Sequence, residues 1–265
     1  MRLVEKIDEL RRVCAGLPRP LGLVPTMGFL HEGHLSLVRR ARQECPSIGV
    51  SIFVNPTQFS PREDLAAYPR DLDRDLSLLE KENVDVVWTP RAEDMYPAGF
   101  QTWVTVEEIT RPLEGAHRPG HFRGVATVVA KLFHAFEPQK AYLGQKDAQQ
   151  AAVVQRMTAD LDFPVEVVVC PIVREPDGLA MSSRNVYLSA EQRQAAPVLR
   201  RALSAAAAAF HAGEGDAEAL RRRLADVLAE EPLARPQYVS AADPETLEEL
   251  NGRVERALLS LAVLV

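Results

Sequence analysis

The sequence predicts an α/β fold: a parallel sheet with helices on both faces, followed by a smaller second sheet with its own helices. Three observations predict it. Up to Val173, short runs rich in Val, Ile and Leu alternate with longer segments of helical spacing, the pattern of a parallel sheet. After Val173 a polar, Gly-containing loop gives way to Ala- and Arg-rich helices. The chain has 265 residues, 46% of them hydrophobic, which suffices for one large domain or two unequal ones.

Taken in order, Leu3, Ile7, Leu10 and Val13 repeat at helical spacing, so residues 3–13 predict an opening amphipathic helix rather than a signal peptide. "PLGLVPTMG" is a buried strand ended by Pro25 and Gly28. "GHLSLVRRARQE" puts Leu35, Val38 and Ala41 on one helical face. "SIGVSIFVN" is the second strand, "LDRDLSLLEKEN" a helix and "VDVVWTP" the third strand. "VATVVAKLFHAFEP" is an apolar helix, and "KAYLGQKD" holds a strand running into a polar loop. "AQQAAVVQRMTADL" is a helix and "PVEVVVCPIV" the last strand of the series. A boundary at residues 172–174 gives domains 1–173 and 174–265. In the second, "LRRALSAAAAAFHAG" and "DAEALRRRLADVLAEE" are helices, while "PQYVSAAD" and "ALLSLAVLV" are strands of a small sheet.

Composition narrows the function. A net charge of -6 lacks the broad basic surface that binds nucleic-acid backbones. Cys14, Cys45 and Cys170 are odd in number and contain no C-x-x-C, so they read as reduced thiols in a cytoplasmic protein. No apolar run approaches the length of a membrane span.

The chemistry concentrates at strand ends, where ligands of such sheets bind. In "LVPTMGFLHEGHLSLV" a strand, a Gly-containing turn and a helix start bring His31 and His34 to a helix N-terminus. Free N–H groups and the helix dipole attract anions there, and imidazoles can donate to phosphate or transfer a proton. Gly28 and Gly33 permit close backbone approach. H-E-G-H is not the metalloprotease spacing and no third ligand lies nearby, so no metal site is predicted. There is no P-loop and no G-x-G-x-x-G, so ATP, if bound, is held by other means. In "LAMSSRN", Ser182, Ser183 and Arg184 offer two hydroxyls and a guanidinium to an oxyanion, or form a surface turn. "GQKDAQQ" puts Lys146 and Asp147 at another strand end, with Gln150 opening the next helix. "SIFVNPTQF" brings Asn55 and Gln58 to the same edge, Gln58 with an amide that both donates and accepts. Asp71, Asp73, Asp75 and Glu82 mimic a calcium loop, but Leu76 occupies the required Gly position. Leu72, Leu76 and Leu79 follow helical spacing, so a solvated helix is predicted instead.

Together these segments resemble the pantothenate synthetase (pantoate–β-alanine ligase) family. The likeness runs through "LVPTMGFLHEGH", "SIFVNPTQF", "YPRDLDRD", "LEGAHRPGHFRGV", "GQKDAQQ" and "VREPDGLAMSSRNVYLS", roughly the first 190 residues. The resemblance implies a Rossmann-like, nucleotidyltransferase-type parallel sheet, a small C-terminal α+β lid domain and a homodimer. It implies an ATP site built from Met27, Gly28, Phe29, Leu30, His31, Glu32, Gly33 and His34, with His34 as proton donor. Gly144, Gln145, Lys146 and Asp147 would line that site, Val173 would meet the adenine edge, and Met181, Ser182, Ser183 and Arg184 would close over the phosphates. Gln58 and Gln150 would contact substrate. The family usually reads G-E-K-D-Y-Q-Q where this chain has Gln145 and Ala148, and it usually closes with a segment like G-x-x-R-L-I-D-N, whereas this chain stops at Val265.

The implied reaction joins pantoate to β-alanine through a pantoyl adenylate, with ATP as co-substrate and magnesium held mainly by its phosphates. His31, His34, Lys146, Ser182, Ser183 and Arg184 are the candidates to stabilise the departing pyrophosphate. Two rivals are another H-x-G-H nucleotidyltransferase and a nucleotide-binding relic without catalysis.

Overall fold

In this computed structural model the described residues are 1–59 and 65–265. In chain order the elements are β1 (Arg2–Val4), α1 (Ile7–Ala15), β2 (Leu21–Thr26), α2 (Glu32–Glu44), β3 (Ser47–Ile52), α3 (Leu72–Lys81), β4 (Val86–Trp88) and α4 (Ala92–Met95). There follow α5 (Glu114–His117), α6 (His121–Phe136), β5 (Lys140–Gly144), α7 (Ala148–Asp160) and β6 (Glu166–Cys170). The chain continues with α8 (Ala190–Ala195), α9 (Val198–His211), α10 (Ala217–Ala229), β7 (Arg235–Ala242) and β8 (Leu258–Leu264). These form two compact units, residues 1–106 with 118–173, and residues 107–117 with 174–265.

The first unit holds a six-stranded sheet in the order β1-β4-β3-β2-β5-β6, every pairing parallel. The central strands carry apolar side chains on both faces, as a sheet covered twice requires. On one side Leu35, Val38 and Ala41 of α2 and Leu79 of α3 pack with Val24, Ile48, Val50 and Tyr142 in a single buried cluster. Elsewhere Phe136 of α6 lies so close to Gly49 of β3 that a Cβ there would sit 2.5 Å from its ring.

Residues 2–4 correct one expectation: they are an edge strand, and the first helix begins at Ile7. Val4 is buried, and the backbone bonds Arg2 N–H to Asp85 C=O and Thr89 N–H to Val4 C=O, at 2.9 Å each, join β1 to the ends of β4. Strand pairing satisfies backbone groups that a frayed first helical turn would leave to water. The apolar helix also starts earlier than its spacing suggests, at His121.

The second unit is an antiparallel pair, β7–β8, packed against α9 and α10. Ala202 and Ala206, fully buried within the alanine run, let α9 pack closely with Leu224 and Leu228 of α10.

One close approach sets the position of a strand-end turn. A Cβ on Gly124 of α6 would lie 2.5 Å from the carbonyl oxygen of Thr57 and 2.9 Å from the nitrogen of Gln58. Both obstacles are backbone, so no rotamer relieves them. Gly124→Ala is expected to cost about 1–3 kcal/mol of stability. A lower urea midpoint at unchanged slope is the expected signature, and an unchanged midpoint would show that helix and turn part freely.

Candidate active site

Strand order reverses beside β2: the chain passes from β2 to β3 and β4 on one side, then returns to β5 on the other. The carboxyl ends of β3, β2 and β5 therefore lie side by side, at the switch point where open α/β sheets bind ligands. Residues 27–34 leave β2, residues 53–58 leave β3 and residues 145–147 leave β5. The first-unit segments singled out in the sequence thus share one edge of one sheet.

The chain leaves β2 through two successive left-handed residues, Gly28 at φ 81° and Phe29 at φ 50°. Asp75 of α3 holds this turn. Its two carboxylate oxygens accept the N–H groups of Phe29 and Leu30, each at 2.7 Å, and the residue is 1% exposed. The neighbouring Arg74 donates to the Leu30 carbonyl at 2.8 Å. The calcium-loop mimic is indeed a helix, with Asp71 capping it, but the prediction of a solvated helix fails at Asp75. Among the described residues no group of three His, Cys, Asp or Glu side chains gathers to hold a metal ion.

His31 caps α2, and the two imidazoles are ordered by backbone. Nδ1 of His31 accepts the N–H of Gly33 at 3.1 Å, and Nδ1 of His34 accepts the N–H of His31 at 3.3 Å. A nitrogen that accepts carries no proton, so each neutral ring has its hydrogen on Nε2 and offers it as a donor. The ring centroids are 4.1 Å apart. Burial, then the Lys146 and Arg74 charges, lower the His31 pKa, with Asp147 opposing. Burial first and His31 second bring the His34 pKa down to about 3. Both rings are therefore neutral near pH 7. Lys146 brings positive charge within reach of both rings; its Nζ meets the Asp147 carboxylate at 3.2 Å and its side chain is 38% exposed.

Gln58 sits in a short 3-10 turn, Pro56–Gln58, and is buried. Its amide is oriented by Asn55, named with it in the sequence, and by neighbours that the motif reading did not weigh. The Asn55 Oδ1 accepts from the Tyr96 hydroxyl and from the Thr57 hydroxyl, at 2.9 Å each. The Asn55 amide nitrogen then donates to Gly124 C=O at 3.2 Å and to Gln58 Oε1 at 3.1 Å. Gln58 is left presenting its NH2, whose neighbour is the Met27 sulfur at 3.1 Å, a weak acceptor. Arg118 and His121 donate to the Gln58 backbone carbonyl at 3.2 and 2.8 Å. The sequence signal for Asn55, Arg118 and His121 was their place in "NPTQF" and "RPGHFRGV"; Tyr96 lies in neither segment.

Gln150 lies in the first turn of α7, half-buried, while its neighbour Gln149 is buried. Gln145, Lys146 and Asp147 form a short exposed 3-10 turn after Gly144, and Val173 is the last residue of the first unit. Met181, Ser182, Ser183 and Arg184 belong to the second unit. There Ser182 caps the 3-10 turn Ser183–Tyr187, its Oγ accepting the Arg184 N–H at 3.3 Å. Ser183 is buried and Arg184 exposed. Cys14, Cys45 and Cys170 are free and buried.

A parallel sheet covered on both faces, with two histidines at a helix start beside its switch point, defines an α/β protein, and its likeness to solved pantothenate synthetases makes the fold consistent with the nucleotidyltransferase type. The family model for pantoate–β-alanine ligase matches residues 2–265. The pantothenate synthetase of Roseiflexus castenholzii is 61% identical over 99% of this chain and 95% of its own. A crystal structure of pantothenate synthetase from Thermus thermophilus superposes with a TM-score of 0.95 at 53% identity, over 99% of this chain and 95% of that one. A pantoate–β-alanine ligase from Francisella tularensis, complexed with β-γ ATP and β-alanine, gives a TM-score of 0.79 at 32% identity over 99% and 97% of the two chains. The chain belongs to the pantoate–β-alanine ligase family, and is a ligase that forms a carbon–nitrogen bond.

The neutral imidazole carries a testable sign. An unfolded histidine takes up its proton near pH 6.5, whereas folded His34 resists until about 3. Between those values the unfolded state binds more protons, so this group's contribution to stability falls as pH drops. Relative to a His34→Gln variant, the wild-type protein is expected to lose urea resistance from pH 6.5 downward. A constant difference across that window would place a charged imidazole at position 34.

Proposed function

We propose that this chain condenses pantoate with β-alanine in two steps driven by ATP. A pantoate carboxylate oxygen bonds to the α-phosphorus, the bond from that phosphorus to the bridging oxygen breaks, and pyrophosphate leaves. The amine of β-alanine then bonds to the activated carbonyl carbon, the carbon–oxygen bond to phosphate breaks and AMP leaves; of the ammonium's three protons two pass to solvent and one stays as the amide N–H. The carrying observation is the pair of neutral Nε2–H donors, locked by backbone at the switch point beside Lys146.

Each residue has a part that follows from its chemistry. His31 and His34 donate hydrogen bonds to phosphate oxygens as charge builds on the leaving pyrophosphate. For His34 the donor role replaces proton transfer, because its neutral ring already places its one hydrogen on Nε2. Lys146 supplies the cationic charge. Gln58, whose NH2 meets the weakly accepting Met27 sulfur, exchanges that contact for oxygen atoms of pantoate and β-alanine, and Gln150 meets pantoate. The segments 27–34 and 144–147, with Val173, form the ATP-binding surface of the first unit, residues 1–106 with 118–173.

To residues 174–265 we assign a lid role, with Met181, Ser182, Ser183 and Arg184 adding donors to the phosphates. Magnesium would be held mainly by the phosphates of ATP: both Asp75 oxygens are engaged by N–H groups, and among the described residues no three His, Cys, Asp or Glu side chains gather to hold an ion that keeps phosphate and water oxygens as ligands. Among the described residues no helix is long and apolar enough to cross a membrane. With its buried free thiols, the chain is proposed to work in the cytoplasm, as a homodimer.

AMP formation by the purified protein should require ATP, pantoate and β-alanine together. Pyrophosphate exchange into ATP should require pantoate alone. His34→Ala and Lys146→Ala are each expected to lower turnover by about 10²–10³ with the fold intact. Exchange supported by unrelated acids, or wild-type turnover in both variants, would defeat the assignment.

A further inference from the structure

We infer that Asp75, assisted by Arg74, is a positioning residue whose clamp on the turn before α2 sets the ring of His34. The inference rests on the proposed reaction for its catalytic consequence, but its geometry stands alone. Gly28 and Phe29 are consecutive left-handed residues, and such a turn points successive N–H groups into one hollow that normally receives an anion. Here the anion is internal. Asp75 fills the hollow with one oxygen for each N–H, at 2.7 Å.

Leu30 is then gripped from both ends, its N–H by Asp75 and its C=O by Arg74 at 2.8 Å. That carbonyl shares a planar trans peptide with the N–H of His31, which points the opposite way. The same N–H meets Nδ1 of His34 at 3.3 Å. Thus Asp75 and Arg74 fix a peptide plane, and the plane fixes which nitrogen of His34 carries hydrogen. Neither residue needs to touch substrate for this.

Burial alone does not account for the arrangement. A side chain serving only to fill space beside Leu79 on α3 would be apolar, whereas this one places both oxygens on the turn. The spacing is tight as well: a Cβ on Gly28 would lie 3.1 Å from Asp75 Oδ2 and 3.0 Å from Ile52.

The test uses Asp75→Asn, whose NH2 would confront one of the two N–H groups, and Arg74→Met. Leu79→Ala, one turn along the same helix, is the control for lost stability without a lost clamp. Two readouts are needed: steady-state kinetics, and nitrogen-15 spectra of the histidine rings. In the wild type His34 should show an unprotonated Nδ1 and a protonated Nε2. In Asp75→Asn the His34 signals should move toward mixed tautomers, and kcat should fall by about 10² while the KM for ATP changes little. Arg74→Met should show both effects more weakly, and Leu79→Ala neither.

Wild-type ring signals in Asp75→Asn would overturn the inference, as would a fall in kcat matched by Leu79→Ala. If Asp75→Asn does not fold, Arg74→Met decides: native His34 signals with native kcat reject the clamp. A wild-type protein without ligase activity counts against the proposed reaction, while the ring spectra still decide the clamp.

Discussion

A buried carboxylate bonded to two peptide N–H groups is the constraint on which the active-site edge depends. Asp75 ties α3 to the turn between β2 and α2, so the start of α2 cannot shift without breaking two charge-assisted bonds. The bonds do not make the carboxylate a source of stability. Burial is the largest influence on Asp75 and raises its pKa, with the N–H bonds from Leu30 and Phe29 opposing. A carboxyl group whose folded pKa is raised favours folding less once it ionises. What the ion provides is a single conformation for a turn that contains a left-handed Phe29.

From that turn outward the edge presents several donors, with the Asp147 carboxylate beside Lys146 as a countercharge. Two Nε2–H groups, the Lys146 ammonium and the Gln58 NH2 come from the ends of three adjacent strands. Each neutral donor is oriented by acceptors consumed elsewhere: the histidine Nδ1 atoms by backbone N–H groups, Gln58 Oε1 by Asn55. A donor-lined edge in a chain of net charge -6 selects an anion locally, without the general affinity for anions that a basic protein has.

Alternation of apolar runs and helical segments made the sheet legible, and strand-end polar residues made its active edge legible. What escaped has particular causes. Arg2–Val4 merged with the helix because Leu3 falls on the same spacing as Ile7 and Leu10, and three residues carry too little alternation to read as a strand. Asp75 read as solvated although it lies one turn before Leu79, the other buried residue of its helix; an acid one turn from a core leucine was the available signal. Asn55 was legible beside Gln58, but Tyr96, which acts through Asn55, and Arg118 and His121 lie up to 63 residues from their partners, which no local pattern encodes. The tautomers of His31 and His34 needed coordinates, because they follow from which N–H points at which ring atom.

In the proposed reaction the leaving group is a polyanion, and protonated imidazoles would look better suited to it than neutral ones. Two facts argue otherwise. The rings are 4.1 Å apart, so charging one opposes charging the other, and burial, the largest influence on each, disfavours the charged form of both. A protonated Nδ1 would also confront a backbone N–H in each ring, breaking the bonds that orient the pair. Charge and aim are therefore divided. A partly exposed, flexible ammonium supplies the charge and adjusts to the phosphates. The imidazoles supply fixed dipoles, which need little reorganisation as negative charge moves onto pyrophosphate. The turn held by Asp75 keeps those dipoles fixed.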